Sequence, residues 1–203
     1  MLFIDKNGMT DAERIVKKRF TTIERQDLNK IHGIVVHQTS SPTADSTFNS
    51  YQESHATGAH FLIDKDGTIY QTASLYKVTW HVGQMKSRCY LEKKCPPGDL
   101  KVISALERSW RNYQKVSDIE RQKAFPSRFP ANSDSIGIEI VGMAYNVDGK
   151  KYKVYESVND RQNSSLKWLI AELTETLHVA RAEIYRHPEI ARKNITEAST
   201  AKW

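Results

Sequence analysis

The apolar run Ile34-Val35-Val36, closed at once by His37 and small polar residues, constrains this chain more than any other feature. Consecutive β-branched side chains are stiff at χ1 and pack well on a pleated surface, so Ile31 to His37 reads as a buried strand. It delivers a titratable ring just where the chain turns into "QTSSPT". A second strand, in "SDSIGIEIVGMAY", sets Glu139 among Ile136, Ile138, Ile140 and Val141, where a carboxylate is costly to bury without a partner or a task. A third, "EIYRH", ends in His187. A lone strand-end histidine is most simply a polar residue reaching solvent. Two of them on neighbouring strands of one sheet would point both rings at one spot.

The rest of the chain reads as strands interspersed with helices. Residues 11–20 suit a short helix, and "STFNSYQESHATG" begins with cap chemistry and ends at Gly58. "AHFLIDKDGTIYQTAS" is a hairpin signal with an Asp-Lys-Asp-Gly turn, and "VTWHVG" reads as a short strand ending near His81. From Gln84 to about Ser133 the chain turns rich in Lys, Arg and polar residues, with a helix expected over 100–123; 84–133 reads as an insertion. "YNVDGKKYKVY" looks like a second hairpin. Leu166, Leu169, Ile170, Leu173 and Leu177 fall at helix spacing. The expected fold is a single α/β domain, 1–203, with one central mixed sheet flanked by helices.

Two imidazoles and a carboxylate, with one position left open, make a catalytic zinc site. After His187 the candidate carboxylate is Glu197, ten positions on, with Glu189 and Asp134 as alternatives. Cys89 and Cys95 lack the spacing of a zinc knuckle; a short-loop disulfide and two free thiols are both compatible with them. The net charge of +6 favours anionic partners, but the basic residues are scattered and carry no nucleic-acid motif. No stretch approaches the roughly 18 apolar residues of a membrane span. Charges interrupt every apolar run near the N-terminus, so no signal peptide is expected.

Taken in order, "IVVHQT", "GAHFLIDKDGTIYQT", "TWHVG", "SIGIEIVG" and "RHPEI…TEAS" resemble the zinc-dependent N-acetylmuramoyl-L-alanine amidases of the type-2 family, which share a fold with peptidoglycan-recognition proteins. The resemblance implies Zn²⁺ held by His37, His187 and Glu197, the last a Glu where relatives carry Asp or Cys. It implies Glu139 as the residue that moves protons, and His81 as a ring on the substrate groove touching the scissile carbonyl or the lactyl oxygen. Trp80 and Tyr51 would line that groove. His60 would pack nearby without a catalytic role, and His32, His55 and His178 would lie outside the site. Two departures stand out. Ala59 occupies the position of a catalytic tyrosine found in some relatives, and Ile195 that of a lysine; Lys193 is the nearest replacement and, with His81, the catalytic candidate for helping zinc to stabilise the tetrahedral oxyanion.

The implied substrate is peptidoglycan, cleaved between N-acetylmuramic acid and L-alanine, without nucleic acid. A phage lysis enzyme, an antibacterial toxin (needing an immunity protein in its producer) and a cytosolic recycling amidase all fit a chain without a signal peptide. The first two would act on the wall after lysis or specialised secretion. A non-catalytic peptidoglycan-binding module is the alternative outside enzymology.

Overall fold

The computed structural model describes residues 1–203 as an α/β domain built on a six-stranded mixed sheet. Across the sheet the strands run Ile184–Arg186, Gly33–Gln38, Ser135–Ile140, Phe61–Ile63, Ile69–Gln71 and Ile15–Lys17. The first four are mutually parallel, Phe61–Ile63 and Ile69–Gln71 form the expected antiparallel hairpin, and Ile15–Lys17 closes the edge in parallel. Both faces of the central strands are covered, which is why Gly33–Gln38 is buried throughout and reads as an unbroken apolar run.

Side-chain alternation divides the strands between two cores. Ile34, Val36, Ile136, Ile138 and Ile140 face the long helix Asp160–Leu177 and meet its Leu166, Leu169, Ile170 and Leu173. That helix starts on an Asn159–Gln162 capping box and stops at His178, whose φ of 55° is left-handed. The opposite face carries Val35, which packs with Val82, Met85, Phe129, Ala131, Ile190 and Ala191. In register, Val35 pairs with Gly137 and His37 with Glu139, while Tyr185 pairs with Val35. Positions 37, 139 and 187 therefore share the face opposite the long helix. A one-residue slip in any strand would remove its functional side chain from that face.

Several elements differ from expectation. Residues 11–20 form no helix: Thr10–Asp11 and Ile15–Lys17 are strands, and Ile15 enters the main core. The helix expected over 100–123 is two helices, Pro97–Glu107 and Tyr113–Gln122, separated where Ser109 caps a 3₁₀ turn. The strand in "VTWHVG" is Lys77–Thr79, paired with Glu24–Asp27, so His81 lies just beyond it. The hairpin at Asp148-Gly149 forms, joining Ala144–Tyr145 to Val154–Tyr155. Cys89 and Cys95 are joined in a disulfide. No helix is long and apolar enough to cross a membrane.

Candidate metal centre

His37, at the end of its strand, and His187, immediately after the neighbouring strand, place their Nδ1 atoms 2.8 Å apart. Glu197 Oε1 lies 2.8 Å from His187 Nδ1 and 3.6 Å from His37 Nδ1. All three residues are buried. The Glu197 loop is pinned to both strands: Gln38 Oε1 accepts from Ala198 N at 3.2 Å, and Arg186 Nε donates to Ala198 O at 3.2 Å. Those two bonds hold the longer Glu side chain where its carboxylate meets the rings.

The hydrogen bonds behind the rings settle their tautomers. His187 Nε2 donates to Val82 O at 2.7 Å, which leaves its Nδ1 without a proton. Ser135 gives its hydroxyl proton to Ala131 O at 2.6 Å, so its oxygen accepts from His81 Nε2 at 3.3 Å. His81 Nδ1 is then the acceptor for His37 Nε2 at 3.0 Å, and His37 Nδ1 is bare as well. Three acceptors thus converge with no donor of their own. A metal cation satisfies all three at once, and partners on the far nitrogens are how metal-binding imidazoles are oriented. The ionisation states agree. Burial, reinforced by the neighbouring His187, lowers the His37 pKa to about 4 and keeps the ring neutral.

Glu139, in register beside His37, is half-buried on the wall of a cavity of about 740 Å³ that opens over the cluster. Its Oε2 has no hydrogen-bond partner in the protein. Burial lifts its pKa to about 8; the Glu197 charge adds to the rise and Lys193 opposes it. A carboxylate tuned toward neutrality beside a cavity is suited to exchanging protons with whatever occupies it.

The remaining candidates divide. Trp80 lies exposed on the cavity wall with the Arg25 guanidinium 4.3 Å over its ring, and Lys193 lines the same cavity. His81 touches the cavity, yet both its nitrogens are committed to His37 and Ser135; it orients the His37 ring instead of reaching for a carbonyl. Gly137 makes room for it, since a β-carbon there would lie 2.9 Å from His81 Cγ. Tyr51, expected along the groove, is buried among Ile23, Ala73 and Phe20 and lines no part of the cavity. His60 is structural: Nδ1 accepts from Gly137 N at 3.1 Å and Nε2 donates to Lys77 O at 2.9 Å. His55 and His178 are exposed, whereas His32 is half-buried and stacked on Phe125 at 4.3 Å. The alternative carboxylates are used elsewhere, Asp134 by Arg128 and Glu189 by Arg186.

The residue pattern did not reveal Asn132, whose Oδ1 accepts from both His81 N and Val82 N at 3.0 and 2.7 Å. It anchors His81 and the amide side of Val82, the residue whose carbonyl accepts from His187. Ser135 and Arg121 were missed for the same reason: their contacts join segments remote in sequence and leave no periodic trace.

The sequence profile of the type-2 amidases, described as N-acetylmuramoyl-L-alanine amidase, matches residues 27–201. The chain belongs to this family. It is an N-acetylmuramoyl-L-alanine amidase of the type-2 class, an enzyme of peptidoglycan. Its fold is similar to that of AmpDh3 from Pseudomonas aeruginosa, solved in complex with an anhydromuramic pentapeptide, at TM-score 0.53 and 20% identity over 95% of this chain and 60% of that one. A selenomethionine derivative of AmpD gives 0.52 and 18% over 94% and 89%, and the catalytic domain of XlyA 0.50 and 20% over 88% and 87%. At these identities the likeness is one of fold. No curated protein matches the sequence.

Proposed function

We propose that this amidase is zinc-dependent and hydrolyses the amide between the lactyl group of N-acetylmuramic acid and L-alanine, acting on intact cell wall outside the cytoplasm. The observation that carries the reading is the meeting of three proton-free acceptors, His37 Nδ1, His187 Nδ1 and Glu197 Oε1, beside a carboxylate with an unpartnered oxygen. Two neutral imidazoles and one carboxylate are a donor set that suits Zn²⁺. Bound there, zinc supplies Lewis-acid polarisation of the scissile carbonyl and of water.

The protein's own residues do the rest. Glu139 takes a proton from the attacking water as its oxygen bonds to the carbonyl carbon. It returns that proton to the departing α-amine as the carbon–nitrogen bond breaks, so it ends each cycle as it began. A nearby cation draws the Glu139 pKa down from about 8, toward the range in which it is ionised at neutral pH. His81 and Val82 hold the two imidazoles in the tautomers that leave Nδ1 free. Trp80 offers an apolar face to sugar or peptide at the cavity mouth.

The Cys89–Cys95 disulfide supports a setting beyond the reducing cytoplasm, where such bonds persist. An enzyme released at lysis and one delivered to a rival cell are both consistent with that setting, the latter with an immunity protein in the producer. Digestion of purified sacculi, with mass analysis of the products, tests the reading. Free stem peptides beginning with L-alanine should appear, and prior chelation should abolish them until zinc is restored. Undiminished activity after exhaustive chelation would sink the metal dependence, and products cleaved elsewhere would sink the bond assignment.

A further inference from the structure

The 84–133 segment holds eleven Lys and Arg against five Asp and Glu, so the chain's whole net charge of +6 resides in it. Several of these cations are neutralised locally: Arg88 by Glu183 and Glu92, Lys123 by Glu120, Arg128 by Asp134. Arg121, near the end of the Tyr113–Gln122 helix, is not. It has no carboxylate within ion-pair distance, and its one hydrogen bond runs from Nη2 to Gly83 O at 2.8 Å. A guanidinium has five N–H donors, so most of its fork is left unused.

A second cation meets it from another direction. Lys193 lies beyond the His187–Ile190 helical turn, and its Cε and Nζ are 3.6 and 3.9 Å from where a β-carbon on Gly83 would stand. It too has no carboxylate partner. Gly83, with φ at 70°, is the residue against which both cations come to rest. Both line the cavity that contains Glu139, His187 and Glu197. Like charges gathered on one wall repel one another unless an anion comes between them.

The position of this wall limits which anion it can take. Gly83 directly follows Val82, whose carbonyl holds His187, so the cations stand one peptide unit from a fixed point of the metal cluster. An extended peptide advances about 3.3–3.6 Å per residue. A carboxylate that reaches Arg121 while the scissile amide sits at the cluster therefore belongs to a residue close to the cut, not to the far end of the stem. In a stem peptide the residue after L-alanine is a γ-linked D-glutamate, whose α-carboxylate is either free or, in D-isoglutamine, amidated.

We propose that Arg121 and Lys193 form an anion subsite that selects stem peptides with a free α-carboxylate on the second residue. The assignment rests on the amidase reading above. It gives the basic segment a role in specificity, and it gives Lys193 to the substrate's carboxylate and not to the oxyanion. An arginine fork accepts a carboxylate through two parallel charge-assisted bonds, which an amide cannot match.

The test compares two soluble muropeptides that differ only in D-glutamate or D-isoglutamine at the second position. The parent protein should favour the free acid by about 10- to 100-fold in kcat/KM, the range expected for hydrogen bonds to a charged group. In R121Q that ratio should fall to within about threefold of unity, chiefly through KM on the acid. R121K, which keeps the charge and loses the fork, should fall between, and added salt should compress the parental ratio. An R121Q ratio equal to the parent's overturns the subsite. So does a parent that cleaves both substrates equally well, although the amidase reading then stands. A zinc-loaded parent that cleaves neither overturns both.

Discussion

At the scale of single residues, the chemistry depends on what each donor is not bonded to. Glu139 has an oxygen with no partner, and the His37–His187–Glu197 cluster has two imidazole nitrogens with no proton. E139Q preserves size and removes the base, so turnover should drop by ~10²–10⁴-fold. Zinc content measured on the same sample should not change. Near-parental turnover with metal bound would mean that another group accepts the proton. Glu197 gives a complementary test. E197A should lose zinc affinity, read by competition with a chelating dye, because the cation would be left with two neutral imidazoles and no anionic ligand. E197D should retain part of it, provided that the loop held by Gln38 and Arg186 can approach. An alanine variant that binds zinc as tightly as the parent would remove Glu197 from the ligand set. The grouping of His37, His187, Glu197 and Glu139 was legible in the sequence because each sits at a strand tip or within a motif. Tyr51 was misread because a helical aromatic followed by polar residues looks the same whether it faces a groove or, as in this fold, Ile23 and Phe20.

At the scale of elements, the site is a consequence of register. Gly33–Gln38 and Ser135–Ile140 pair in parallel over six positions, so His37 and Glu139 stand side by side. Alternation along "IVVH" and "IGIEI" announces which residues share a face, and that much is readable from the sequence. Which strands are neighbours is not, since the parallel partners lie far apart in the sequence, His37 and Glu139 by 102 positions, and their pairing depends on the whole fold. The helices of the 84–133 segment illustrate the same limit: a continuous polar and apolar pattern gave no sign of the break that Ser109 makes. Gly137 shows how closely these elements meet. Its missing side chain admits the His81 ring, and an added β-carbon would lie 2.9 Å from His81 Cγ and 3.0 Å from Ala59 Cβ. G137A should therefore destabilise the protein by about 1–3 kcal/mol, as overpacking does. Because His81 orients His37, the same variant should also bind zinc more weakly. Chemical denaturation and metal competition together check this, and a loss of stability without any loss of metal affinity would separate His81 from the centre.

At the scale of the whole molecule, the 84–133 segment is bound into the fold on the side that carries the His37–His187–Glu197 cluster. Phe129, Ala131 and Met85 from the segment share one apolar cluster with Val35, Val82, Ile190 and Ala191, beside the strand of His37 and the turn after His187. Ion pairs add to the attachment, Arg88 with Glu183, Arg128 with Asp134, and Arg192 with Glu107. A stretch that reads by composition as a separable insertion is thus joined to the central sheet through side chains on both of its ends, and its charge conceals the few apolar residues that do so. Phe129 is the largest of them and is buried against Tyr185, with ring centroids 5.3 Å apart. F129A should cost about 3–5 kcal/mol, the range for truncating a buried phenylalanine. The segment and the sheet should still unfold together. Thermal unfolding followed by circular dichroism and by hydrogen exchange within 84–133 should give coincident midpoints in the parent and a common downward shift in F129A. If the segment exchanged its amides well below the midpoint of the sheet, with zinc still held, the cluster around Val35 would not be coupling the two. The metal centre would then stand on the strands alone.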